Sequence, residues 1–216
     1  MSANVNGIFQ DVEPIYLREP LAETLGAFPK GSVQEYTFLD VIKAAGHACP
    51  TVAGAYVICR KSLQVLYSGE TPVRGEIAVI VQGEPDEGVY GVMSQVFSFI
   101  TGAAPLTGFR GLGPKFKRKD LLKFSPDKID PQAMSFEFRR LDTGKSVTVN
   151  FYPQRVPFPQ EKAKRMGELM ESVIWEAAKE NEIKEFQELW VEKVKAMVIE
   201  EQGIEDWLRV KASSES

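Results

Sequence analysis

Cys49-Pro50 followed by Thr51 to Leu66 (TVAGAYVICRKSLQVL) constrains this chain more than any other stretch. The run is mostly apolar and long enough for a helix, and Pro50 suits the first helical position, where no N–H is needed. Cys49 then falls at the N-cap. There the partial positive charge and free N–H groups of the helix end favour a thiolate.

Immediately upstream, Thr37 to Ala45 (TFLDVIKAA) repeats Phe38, Val41 and Ile42 at helical spacing, and Gly46 supplies the stop. Ala45-Gly46-His47-Ala48-Cys49-Pro50 is therefore a joint between two helices, where carbonyls of one and amides of the next face the same loop. It holds the single histidine and one of the two cysteines. Imidazole and thiolate suit a borderline-soft metal such as zinc, and they are equally the pair for an activated thiol. Taken singly, a cysteine before a buried helix is usually a packed hydrophobe and a histidine a hydrogen-bonded residue. Their spacing makes them a half-site, because zinc normally takes at least three protein ligands. Cys59 is excluded as a partner: ten residues along the same helix is about 15 Å of rise.

Glu76 to Gln82 (EIAVIVQ) reads as a buried strand, and Val89 to Ile100 as a helix. Between them Gly83-Glu84-Pro85-Asp86-Glu87-Gly88 places three carboxylates in a loop, the usual location of site residues on a rigid scaffold. Each alone is more simply a solvated residue near a helix N-terminus. As a group, Glu84, Asp86 and Glu87 are the best source of further metal ligands. Met134 to Arg140 and Ser146 to Tyr152 alternate apolar and polar residues around the turn Leu141 to Lys145, which predicts a hairpin. From Gln160 onward the pattern is helical. Met166, Leu169, Met170, Val173, Ile174 and Ala177 form one stripe, and Ile183, Phe186, Leu189, Trp190, Val194, Met197 and Val198 another, both read as core or subunit interface.

Composition narrows the classes. At 216 residues the chain can bury a real core, and two cysteines make no disulfide scaffold. The start, MSANVNGIFQDVEPIY, lacks the basic and apolar regions of a signal peptide, and no apolar run reaches a membrane span, so a cytoplasmic protein is expected. Arg110 to Lys128 carries seven Lys or Arg against two Asp, whereas Gln160 to Ser216 carries nine against fourteen acids. Without a recognisable basic-aromatic module, a nucleic-acid partner is not expected. The stretch Lys115 to Lys119 reads as a solvated face or a site for an anionic partner.

At Gly46-His47-Ala48-Cys49-Pro50 the chain resembles the FmdE-like family of formylmethanofuran dehydrogenase accessory proteins, whose members carry His-Gly-His-x-Cys-Pro-Gly opening a helix. Over roughly Phe38 to Tyr152, the strand Ile77 to Val81, the acidic turn, the helix ending near Ser98 to Gly102 and the hairpin with Thr143-Gly144-Lys145 follow in that family's order. Ala45 stands in place of the family's first His, Thr51 in place of its Gly, and the family's four-cysteine appendage is absent. The resemblance implies an α+β core, a metal near the motif and a homodimer. His47 and Cys49 are the positions that carry over.

The expected fold is α+β: a small, mainly antiparallel sheet packed with helices, plus a helical C-terminal extension. Residues 1–36 are read as an N-terminal arm with a short helical piece at Pro20 to Gly26, 37–158 as the metal-binding core and 159–216 as the extension. Functionally, the expectation is a metal-binding protein of the type the family implies, with zinc as the ion, acting on an unidentified small molecule if it is an enzyme. The alternatives are a non-catalytic accessory subunit of a redox complex and a metal-free cysteine enzyme.

Overall fold

The computed structural model describes residues 5–127 and 130–213. In chain order the N-terminal part contains helix α1 (Val5–Ile8), strand β1 (Ile15–Arg18), α2 (Pro20–Thr24), β2 (Val33–Tyr36), α3 (Phe38–Ala45) and α4 (Pro50–Tyr67). The middle contains β3 (Ile77–Gln82), α5 (Tyr90–Thr101), β4 (Gly111–Leu112), β5 (Phe116–Lys117), β6 (Leu122–Ser125), β7 (Met134–Arg140) and β8 (Ser146–Phe151). A short 3-10 turn (Pro153–Arg155) leads to α6 (Gln160–Ile174) and α7 (Glu180–Lys195). The chain then passes through a π-helical turn (Ala196–Glu200) and α8 (Ile204–Trp207) into β9 (Leu208–Ala212).

The architecture is α+β, and α4 is its axis. Apolar residues lie all round this helix, and Val52 to Arg60, Ser62, Leu63, Leu66 and Tyr67 are buried. It packs on α3 and α5, on β7, β8 and β9, and on the C-terminal helical segment. The main sheet has the order β6-β3-β7-β8-β9. Only the β3–β6 pair is parallel; β3–β7, β7–β8 and β8–β9 are antiparallel. Alternation on β7 turns Phe136 and Phe138 into the core, where both meet the ring of Phe97 edge-on at 5.1 and 5.3 Å.

Two segments depart from the sequence reading. The N-terminal stretch, read as a polar arm, forms a β1–β2 ribbon and buries Phe9, Val12, Ile15 and Leu17. Tyr56 of α4 fastens it, its hydroxyl lying 2.9 Å from the Glu13 carbonyl and 3.1 Å from that of Tyr36. At the other end the chain does not finish as helix. β9 adds a fifth strand beside β8, with Phe151 opposite Leu208, and Trp207 is wholly buried against Phe151.

The basic stretch is only partly a solvated face. Arg118 is buried and meets Glu19 at 2.5 Å, while Arg74 reaches the other oxygen of Glu19 at 2.6 Å. Arg118 passes so close to Gly75 that a Cβ there would overlap its guanidinium. Burial lowers the Arg118 pKa, opposed by the Glu19 charge. A residue that reads as one more surface cation instead anchors the loop carrying β4 and β5.

Candidate functional site

The joint between α3 and α4 forms as the local sequence dictates. Thr37 caps α3 in a reciprocal box with Asp40, and Gly46 closes it at φ +80° with its N–H 2.8 Å from the Ile42 carbonyl. Cys49 is the N-cap of α4 in extended conformation; its Sγ accepts the Val52 N–H at 3.4 Å and its carbonyl that of Ala53 at 2.9 Å. The side chain thus serves one of the helix's open donors while the carbonyl accepts the first bond of the helix. Cys49 is 9% exposed.

His47 lies on the surface of the joint, with Nδ1 3.0 Å from the Ala45 carbonyl. A carbonyl oxygen only accepts, so Nδ1 carries the hydrogen and the neutral ring keeps its lone pair on Nε2. A backbone carbonyl on one ring nitrogen is the usual support that orients a metal-binding imidazole through the other. An imidazole and a thiol suit zinc or a similar ion over magnesium or calcium. Two donors fit an open site rather than a closed structural one.

Glu84, Asp86 and Glu87 are all exposed. The Glu84 N–H approaches a Glu87 carboxylate oxygen at 3.5 Å, and the Glu87 N–H donates to the Glu84 carbonyl at 3.1 Å. The N-cap of α5 is Val89, with no side-chain cap. Among the described residues, no three His, Cys, Asp or Glu side chains stand together as a metal-binding group. What the turn does bring to the joint is apolar: Val89 lines a cavity of about 90 Å³ together with Pro50 and Thr51 at the start of α4.

The C-terminal helical segment adds Lys193 and Met197 to that cavity, beside Met93, Met134, Phe151 and Pro153. Trp190 donates its indole N–H to the Ala48 carbonyl at 2.8 Å, inside the His-x-Cys stretch. One turn later on the same face Lys193 lines the cavity, and after it Met197. The Lys193 ammonium lies 3.3 Å from the Val156 carbonyl and 4.9 Å from the centre of the Phe158 ring. Burial lowers its pKa. Helical periodicity gave Trp190 and Met197 as buried positions; Lys193 falls beside that stripe, and nothing in its own neighbourhood marks it as part of a site. Cys59 is fully buried in α4, and burial pushes its thiol pKa up, which makes it unreactive.

No family model matches the chain, and no curated protein matches it.

Proposed function

We propose that the chain is a metal-binding protein that holds a transition metal, zinc or an ion of similar softness, through His47 Nε2 and Cys49 Sγ. The observation that carries this reading is the Nδ1 contact to the Ala45 carbonyl, which in the neutral ring puts the lone pair on Nε2, on an exposed imidazole two residues from a sulfur at a helix N-terminus. A two-donor site leaves positions for water or for a ligand, and the bound ion would supply Lewis acidity there. Within the chain, Ala45 fixes the imidazole tautomer and Val52 N–H stabilises negative charge on sulfur. Trp190 holds the backbone between them. The cavity beside Pro50 and Thr51, apolar but for Thr51 and Lys193, is sized for a group of a few heavy atoms. The resemblance to the FmdE-like family supports the same two residues as ligands.

Cobalt(II) titration of the full chain tests this without any assumed activity. Binding near one equivalent, with an intense thiolate-to-metal absorption lost in Cys49→Ser and weakened affinity in His47→Ala, is the expected result. Absence of the thiolate band in the wild-type protein overturns the reading. A cysteine enzyme is the second possibility, favoured by the Val52 N–H on Sγ; iodoacetamide labelling of Cys49 that added zinc does not slow would support it.

A further inference from the structure

Among the described residues, two of the surfaces that expose large apolar side chains are opposite in charge. The first is the loop from Leu106 to Lys119, which exposes Leu106, Phe109 and Leu112 at 67%, 59% and 53% and carries five Lys or Arg and no Asp or Glu. Arg118 is turned inward onto Glu19, so Arg110, Lys115 and Lys117 are exposed and Lys119 is half-buried. The buried Arg118 ion pair and the short β4–β5 ladder hold this loop in one shape, which reduces the ordering cost of any contact it makes.

The second surface is the end of the α6–α7 pair. The two helices close on each other through Leu169, the only buried residue of α6, and through the bidentate Arg165–Glu185 pair at 2.7 and 2.8 Å and Lys162–Glu192 at 2.5 Å. Those contacts engage cations of α6. At the far end Ile174 and Trp175 are 66% and 76% exposed, with Met170 beside them on the same helix. Between Glu168 and Glu188 the chain carries seven Glu against two Lys. A tryptophan exposed to this extent among aliphatic side chains is an interaction feature rather than a packing residue.

We infer that the basic, apolar loop 106–119 of one molecule docks on the acidic, apolar end of the α6–α7 pair of a second copy. Each surface offers three exposed apolar side chains and a charge the other lacks, and one chain carries both. Because both are open in the same molecule, they do not satisfy each other internally. When each copy's loop meets the other's helix end the two contacts close a two-fold dimer, and otherwise they run head to tail into a ring or filament. Opposite fields steer the encounter, and the apolar groups hold it. This inference stands independently of the metal site.

Sedimentation or light scattering of the full chain over a range of salt tests it. A mass above the 24.1 kDa monomer at low ionic strength, falling toward it as salt rises, is expected. Lys115→Glu with Lys117→Glu, and separately Glu171→Lys with Glu176→Lys, each weaken association by roughly tenfold or more with unchanged circular dichroism. An equimolar mixture of the two variants regains association, because the acidic loop of one now meets the basic helix end of the other. Trp175→Ser weakens association at every salt concentration. A monomer at low salt, charge variants that associate like the wild type, or a mixture that stays monomeric overturns the inference.

Discussion

α4 and α6 are helices of similar length with opposite relations to the fold. α4 has 18 residues and buries thirteen of them, whereas α6 has 15 and buries only Leu169. The first is capped by a side chain at its start; the second has no side-chain cap. α4 is stable because everything packs on it, and its own charged residues are absorbed: Arg60 is buried and pairs with Glu201 and, at 3.7 Å, with Glu13. α6 is held by one seam and by exposed ion pairs, which contribute little each. Helical periodicity alone does not separate the two cases, because an apolar stripe shows that a face will be covered without showing by what.

A matched pair of truncations puts this contrast at most risk. Ile58→Ala, at a fully buried position of α4, should cost about 2–5 kcal/mol in denaturant unfolding. Ile174→Ala, 66% exposed on α6, should stay within about 0.5 kcal/mol while lowering the associated fraction in light scattering. Equal destabilisation by both would mean that α6 is packed in a way its exposure denies.

A smaller effect lies where the two regions meet. Trp190→Phe keeps an aromatic ring, though a smaller one, and removes the indole donor to the Ala48 carbonyl, for an expected loss of about 1 kcal/mol from the hydrogen bond. The same variant should bind cobalt(II) more weakly, since the backbone between His47 and Cys49 loses its tie. Unchanged metal affinity would restrict Trp190 to packing.

The smallest effect concerns the far end of the sheet, where Arg140 bonds Asp142 at 2.7 Å and Glu70 at 3.0 Å. These hydrogen bonds hold both carboxyls below their ordinary values of 3.8 and 4.5. A lowered native pKa means stability that is fully present above the ordinary value and lost as pH falls through the lowered one. Thermal unfolding should therefore be insensitive to this cluster above about pH 5 and lose its contribution below about pH 4. Asp142→Asn should flatten that acid limb, and an unaltered limb would show that the cluster is too exposed to matter.

Much of the site's local form is legible in the chain. Gly46 as a stop, Pro50 as the first helical residue and Cys49 as the cap depend on hydrogen bonds spanning a few residues. The expected hairpin appears as β7 and β8, and the expected buried strand as β3. The β1–β2 ribbon and β9 are not legible in the same way. Their strands are short, and β9 (LRVKA) carries two cations among its five residues, so its place beside β8 follows from pairing with a strand already present.

The helix–joint–helix unit, the chemical pair His47 and Cys49, the α+β class and the opposite charge of the middle and the tail are all written in the order of the residues. They follow from caps, periodicity and composition, which act over one or two turns or need no geometry at all. Folding in three dimensions was needed to bring the Trp190 indole to Ala48, to join Lys193 with Pro50 and Thr51 at one cavity, and to bury Arg118 on Glu19, 99 residues away. It also left Glu84, Asp86 and Glu87 exposed, and among the described residues no three His, Cys, Asp or Glu side chains stand together as a metal-binding group. A cation in a basic run or a carboxylate in a turn has the same local propensity whether it is solvated, paired or buried, and only the packing of distant segments around α4 distinguishes those fates.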